Sequence, residues 1–193
     1  MSTDALHAHA PFSFTAENRK LAEKIIARYP AGRQASAVIP LLDLAQRQSA
    51  NWLPQAAIEH VAEVLDMAPL RVLEVASFYS MFNRKPVGRA FVQLCRTTPC
   101  WLRGSDELLA TYKKVTGCGA RELTPDGAFT LIEVECLGAC SNAPAVQIND
   151  DFYEDLTPES FKTVLEALQR GEKPKPGSQQ GRVSSEPLGR DGE

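Results

Sequence analysis

Four of the five cysteines stand in two tight pairs. Cys95 and Cys100 have four residues between them in LCRTTPCWL, Cys136 and Cys140 have three in VECLGACSNAP, and thirty-five residues separate the pairs. Thiolates are soft ligands, and two couples of them suit one inorganic centre. A structural zinc site usually takes its paired ligands from knuckles with two to four residues between them, so both spacings fit loosely without forming the common zinc-ribbon pattern. A redox dithiol requires Cys-x-x-Cys, which neither pair has. A [2Fe–2S] cluster takes four thiolates, and a four-residue spacing occurs in one half of the plant-type motif, although the remaining spacing differs here. Spacing alone favours iron–sulfur chemistry and leaves zinc and unrelated buried thiols open.

Such loops need elements to hold them. The chain has 193 residues, 44% of them hydrophobic, enough for one sizeable core or for a core plus a smaller helical domain. Its net charge of -3, without a long basic run, gives no electrostatic case for nucleic acid or an acidic membrane. No stretch of eighteen apolar residues is present, so insertion into a bilayer is not expected. The segment MSTDALHAHAPFSFTAENRK has neither the apolar core of a secretory signal nor the Arg-rich character of a transit peptide. An odd cysteine count argues against a secreted disulfide framework and suits thiolates kept in a reducing compartment.

Residues 1–15 read as a disordered leader, with His7 and His9 solvated in it. Helical periodicity follows. Leu21, Ile25 and Tyr29 mark a first helix ended by Pro30-Ala31-Gly32, and Ser36 caps a second with Val38, Leu41, Leu42 and Ala45 on one side. Pro54 opens a third with Ile58, Val61 and Leu65, and Pro69 opens a fourth with Val72, Val75 and Tyr79. Residues 16–85 thus read as a small four-helix domain, and a polar turn over residues 83–88 marks its end.

The rest reads as α/β, over residues 86–170. A strand over residues 90–94 runs into Cys95, and Ser105 caps a helix with Leu108, Leu109, Tyr112 and Val115 inward, stopped by Gly117 and Gly119. Residues 121–124 and 129–135 flank a Pro125-Asp126-Gly127 turn and read as a hairpin; residues 145–148 and 152–154 form another across Asn149-Asp150-Asp151. Thr157 caps a last helix with Pro158 at its first position and Phe161, Val164, Leu165 and Leu168 buried. In a strand–helix–strand unit the segments ending at Cys95 and Cys136 are parallel, so their C-terminal ends lie at one edge of the sheet, where ligand sites of open α/β sheets collect. The order βαβ then ββα is a thioredoxin-like arrangement with an added hairpin strand. In such folds a cis proline often sits beside the active loop, and Pro144 holds that place.

From EHVAEVLDMAPLRVLEVASFYSMFNRKPVG through CRTTPCWLRGS to TLIEVECLGACSNAPAVQINDDFYEDLTPES, the chain resembles the 24 kDa, or E, subunit family of respiratory complex I, over about residues 16–182. The resemblance implies a helical N-terminal domain followed by a thioredoxin-like ferredoxin domain that carries one [2Fe–2S] cluster on Cys95, Cys100, Cys136 and Cys140. It implies a one-electron carrier within proton-translocating NADH:quinone oxidoreductase, with FMN and NADH bound by the partner flavoprotein subunit (51 kDa, or F). The iron–sulfur subunit (75 kDa, or G) is the second partner so implied. The place implied is the peripheral arm, on the cytoplasmic face of the bacterial inner membrane or the matrix side in mitochondria. Related chains serve NAD-linked formate dehydrogenases and hydrogenases, the alternative assignment; a zinc-binding adaptor is the alternative from another class.

Other residues carry lesser expectations. Cys118, in a Gly117-Cys118-Gly119 turn, reads as a spare thiol, and Trp101 as an apolar anchor shielding the loop. Gly138 lets backbone N–H groups approach sulfur; Arg96 and Arg103 would favour a reduced centre, and Glu133 and Glu135 oppose it. His60 lies in a helical stripe as a structural residue, and no phosphate-binding glycine motif opens a helix. The tail over residues 171–193 has only Val183 and Leu188 as aliphatic residues, and reads as an extended segment for binding a partner.

Overall fold

The structure, a computed structural model, describes residues 11–185, and the chain divides into two compact units between Val87 and Gly88. The first unit holds α1 (Ala16–Ile26), a 3-10 turn (Gln34–Ala37) continuing into α2 (Val38–Gln48), α3 (Gln55–Leu65) and α4 (Pro69–Phe78). Leu41, Leu42, Ala45, Ile58, Val61, Leu65 and Val72 form its core, as their 3.6-residue spacing dictates. Three local expectations change. Ser36 does not cap α2, because the preceding 3-10 turn already hands its backbone groups to the helix. Leu21 and Tyr79 are about two-fifths exposed; α1 turns the smaller Ala22 inward beside Ile25, and α4 ends before Tyr79.

The third correction concerns the leader, of which residues 1–10, with His7 and His9, lie outside the described residues. Phe14 is 3% exposed, and its ring stands edge-on to His60 at 5.1 Å, with Phe12 against the same imidazole at 5.6 Å. The Phe14 N–H donates to His60 Nε2 (3.3 Å). His60 and Gln48 together hold this segment, Gln48 accepting from the Thr15 N–H (3.1 Å) and donating to Ser13 O (2.8 Å), and burial holds the His60 pKa below the ordinary value.

The second unit is built on a five-stranded sheet in the order β2-β1-β3-β4-β5. Its elements are β1 (Ala90–Cys95), α5 (Thr98–Leu102), α6 (Ser105–Thr116), β2 (Phe129–Val134), β3 (Val146–Ile148), β4 (Asp151–Glu154), α7 (Pro158–Gln169) and β5 (Gly177–Ser178). β1 and β2 run parallel, with Cys95 opposite Val134; β3 is antiparallel to both β1 and β4, and β5 is parallel to β4. Leu94, Leu108, Tyr112, Phe129, Leu131, Tyr153, Phe161 and Leu165 lie in one core that joins α6 and α7 to the sheet. Thr157 and Ser160 close a reciprocal cap on α7: Ser160 N–H donates to Thr157 Oγ1 (3.2 Å) and Thr157 N–H to Ser160 Oγ (2.9 Å). Ser105, expected to cap α6, instead lies buried one residue inside the helix, with Gly104 at the cap position in a left-handed conformation.

Two expectations for the second unit change as well. The hairpin expected before β2 shrinks to one antiparallel bridge, Leu123 with Thr130, because Thr124 Oγ1 turns inward to the Phe129 N–H (2.9 Å) and closes a tight loop. The tail does not stand apart: residues 177–178 add a strand to the sheet, and Gly177 is buried.

Entry into β1 sets a steric demand. Gly88 donates its N–H to Thr130 Oγ1 (2.9 Å), and a Cβ at Gly88 would fall 2.3 Å from the carbonyl carbon of Phe129. The clashing atoms are backbone in a paired strand and cannot swing aside. Gly88→Ala is expected to lower stability by about 3 kcal/mol, the upper range for overpacking, as read from the denaturant midpoint of the second unit.

Candidate metal centre

The paired strands bring the cysteines together. Cys95 is the last residue of β1, and Cys136 follows β2 by two residues, so parallel register delivers both chains to one edge of the sheet. Arg96 N–H donates to Val134 O (3.1 Å) and Cys95 N–H to Ala145 O (3.3 Å), fixing the exit of β1 between β2 and β3. The chain then turns into α5, a single turn with Pro99 in its first residues, which carries Cys100 back toward Cys95. That short helix was not expected from the sequence; Thr97-Thr98-Pro99 was its only signal, a polar residue and a proline at a helix start.

On the second loop, Gly138 adopts a positive φ of 82°, which brings its N–H onto the Cys136 sulfur (3.3 Å). The 3-10 turn Cys140–Asn142 follows, and the Ala143–Pro144 bond is cis, as expected from the arrangement of elements. Cys136 Sγ and Cys140 Sγ lie 3.4 Å apart. The two loops also touch: Cys95 sulfur is approached by the backbone of Leu137, and Cys100 sulfur by that of Ala145.

Burial divides the four thiols into two kinds. Cys95 and Cys100 are each 1% exposed in a small cluster with Ala139, Ala143 and Ala145, while Cys136 and Cys140 face solvent. Burial pushes the Cys100 thiol up to about 12. Burial acts in the same sense on Cys95, but hydrogen bonds from Thr97 and the Leu137 backbone outweigh it and bring that thiol below its ordinary value. The Gly138 N–H lowers Cys136, whereas its neighbour Cys136 raises Cys140. Hydrogen bonds to sulfur, led by the Thr97 side chain at Cys95 and by the Gly138 N–H at Cys136, thus stabilise negative charge on one thiol of each couple.

Donor type and grouping distinguish the metal chemistries. Among the described residues, no three His, Cys, Asp or Glu side chains are arranged to hold a single ion. The sulfurs stand as two couples instead. With metal–sulfur bonds of about 2.3 Å and tetrahedral angles, two thiolates on one metal lie roughly 3.8 Å apart, close to the Cys136–Cys140 separation. Four cysteine sulfurs, two from each of the loops that leave the same edge of the sheet, fit the donor set of a binuclear iron–sulfur cluster.

Residues 22–169 match the family described as thioredoxin-like [2Fe-2S] ferredoxin. The chain belongs to this family. Its cofactor is accordingly one [2Fe–2S] cluster. The chain is 57% identical over 157 residues to the E subunit of NADH-quinone oxidoreductase from Rickettsia bellii, covering 81% of this chain and 94% of that one. It is 50% identical over 186 residues to the mitochondrial NADH dehydrogenase [ubiquinone] flavoprotein 2 of Dictyostelium discoideum, covering 96% of this chain and 75% of that one. Among solved structures, an NAD+-reducing [NiFe]-hydrogenase superposes with a TM-score of 0.62 at 19% identity over 70% of this chain, a likeness of fold. This chain spans about a quarter, 23%, of that hydrogenase chain.

The other residues singled out in the sequence fall differently. Cys118 lies beyond the far end of α6, whose twelve residues put roughly 18 Å between its ends, and its N–H rests on Thr116 Oγ1 (3.2 Å). Trp101 is not a buried anchor: it is 55% exposed, and its indole N–H donates to Asp106 Oδ2 (3.0 Å). Arg96 is not a free cation beside the loop. It pairs with Asp106 and with Glu133 (2.9 Å), so Arg96 and Glu133, expected to act in opposite senses, largely cancel. The two carboxylates join the end of β1 to α6 and β2 through one guanidinium. Arg103 and Glu135 are exposed and their charges are screened by water.

Proposed function

We propose that Cys95, Cys100, Cys136 and Cys140 are the cluster ligands, two to each iron. The observation that carries this reading is the convergence of two sulfur couples at the ends of two parallel strands, with N–H groups directed at them. The chain is an oxidoreductase electron-transfer subunit of NADH dehydrogenase, and the two relatives at 57% and 50% identity support complex I over a hydrogenase or formate dehydrogenase complex. The bound cluster supplies one-electron redox chemistry. The chain's own residues hold it and set its surroundings: Cys95 and Cys100 anchor from the buried side, and Cys136 and Cys140 leave the opposite side open to a partner.

In this reading NADH and FMN sit on the partner flavoprotein (51 kDa, or F) subunit, and the 75 kDa, or G, subunit is a neighbour in the peripheral arm. The complex in this reading is the proton-translocating NADH:quinone oxidoreductase; no helix among the described residues of this chain is long and apolar enough to cross a membrane. The arm lies on the cytoplasmic face of a bacterial inner membrane or the matrix side of a mitochondrial one.

The test is direct. Anaerobically purified protein is expected to contain iron and acid-labile sulfide, each approaching two per chain, and to be red-brown. Stoichiometric zinc without sulfide overturns the ligand assignment, and co-purification of a hydrogenase or formate dehydrogenase in place of the flavoprotein overturns the assignment to complex I.

A further inference from the structure

Two carboxylates in the second unit are buried at a place where no chemistry has been assigned. Glu154 is wholly buried and Asp155 is 2% exposed, at the end of β4. Burying a charged carboxylate is costly unless donors surround it, and here most donors come from one segment, residues 174–185. Ser178 Oγ donates to Asp155 Oδ2 (2.6 Å), and Arg182 Nη1 to Asp155 Oδ1 (2.9 Å). The Ser185 N–H lies 3.1 Å from both oxygens of Glu154.

The same segment reaches the second cysteine loop. Arg182 Nη2 donates to Ser141 O (3.2 Å), and Asn142 Nδ2 donates both to Val183 O (2.7 Å) and to Glu154 Oε2 (2.8 Å). Asp155 N–H completes the junction on Asn142 O (2.7 Å). Ser141 and Asn142 are the two residues immediately after Cys140. Residues 182–185 are thus tied to the turn that carries Cys140, and buried carboxylates anchor the tie.

We propose that residues 174–185 form a strap that positions the Cys140 turn, with Arg182 as its principal positioning residue. Arg182 touches no sulfur and acts through Ser141, fixing the backbone turn from which Cys140 would hold the cluster. The proposal rests on Cys140 being a ligand, which the iron and sulfide content of the parent protein tests separately.

The experiment compares assembled parent protein with Arg182→Ala, Arg182→Lys and a chain ending at Gln180, which retains β5 but loses the Ser141 and Val183 contacts. Arg182→Ala and the shortened chain are expected to shift the g values of the reduced cluster and to lose iron to a chelator about tenfold faster, the usual effect of removing an outer partner of a metal ligand. Arg182→Lys keeps a cation for Asp155 but lacks the forked guanidinium that reaches Asp155 and Ser141 at once. It is expected to match the parent in thermal unfolding while retaining the shifted g values, a separation that a purely structural role does not produce. Unchanged g values and chelation rates in all three variants overturn the proposal. Should Arg182→Ala fail to fold, the lysine variant decides alone: a parent-like spectrum overturns the strap.

Discussion

Replacing Cys100 or Cys95 by Ala is expected to leave the purified chain colourless, whereas Cys118→Ala retains the full visible spectrum. The first two side chains are almost wholly enclosed among Ala139, Ala143 and Ala145, and each removal leaves an apolar gap where the proposed ligand set places a metal bond. Such an apolar gap offers a water or buffer ion no polar partners with which to take the place of sulfur. Cys136 and Cys140 face solvent, so the outcome there is conditional: Cys136→Ala and Cys140→Ala are also expected to lose the cluster, but a small added thiol should restore part of the absorption. Cluster content measured for all five variants, with and without mercaptoethanol, checks the ligand set and its buried and exposed sides together. Rescue at Cys100, or bleaching of Cys118→Ala, contradicts the arrangement.

A second large effect is expected in the core. Phe161 is fully buried between α7 and the sheet, and Phe161→Ala should cost about 3–5 kcal/mol through lost burial and the cavity left behind. Unfolding followed by visible absorption is expected to move to markedly lower denaturant. Leu41 is equally buried, but in the core of the helical unit, and Leu41→Ala should cost about 2–5 kcal/mol there. The two cores share no residue. The Leu41 variant is therefore expected to lose helical circular dichroism early while keeping the parent midpoint for its visible absorption. Coincident loss of both signals in that variant would falsify the expectation that the second unit holds the cluster without help from the helical core.

Much of this was legible in the chain because the relevant signals are local. Pro69, the Thr157-Pro158 cap and the 3.6-residue stripes placed the helices, and the strand running into Cys95 placed one half of the centre. Contacts made at a distance were not legible. Phe14 looks like leader until His60 offers it an acceptor and a ring edge forty-six residues later. The tail is too polar to make a core, yet it folds onto the sheet, because two buried carboxylates supply the attraction that aliphatic side chains do not. Charge was misjudged for a related reason: Arg96 is read correctly as a cation near Cys95, but its neutralisation depends on Asp106, brought beside it by a turn that composition does not reveal.

The short β5 has a consequence beyond its hydrogen bonds to the chain itself. A sheet margin with free N–H and C=O groups is a template for a strand from another molecule, and edge-to-edge association of that kind leads to insoluble fibres. Here β5 covers the outer side of β4, while residues 121–124 cover part of β2 through the Leu123–Thr130 bridge and the Arg121 N–H on Leu131 O. Both flanks of the sheet are thus partly shielded against adding a strand from a second copy. The arrangement protects the chain against self-association, and proteolytic loss of the segment from Gly177 onward would bare the Tyr153–Glu154 margin.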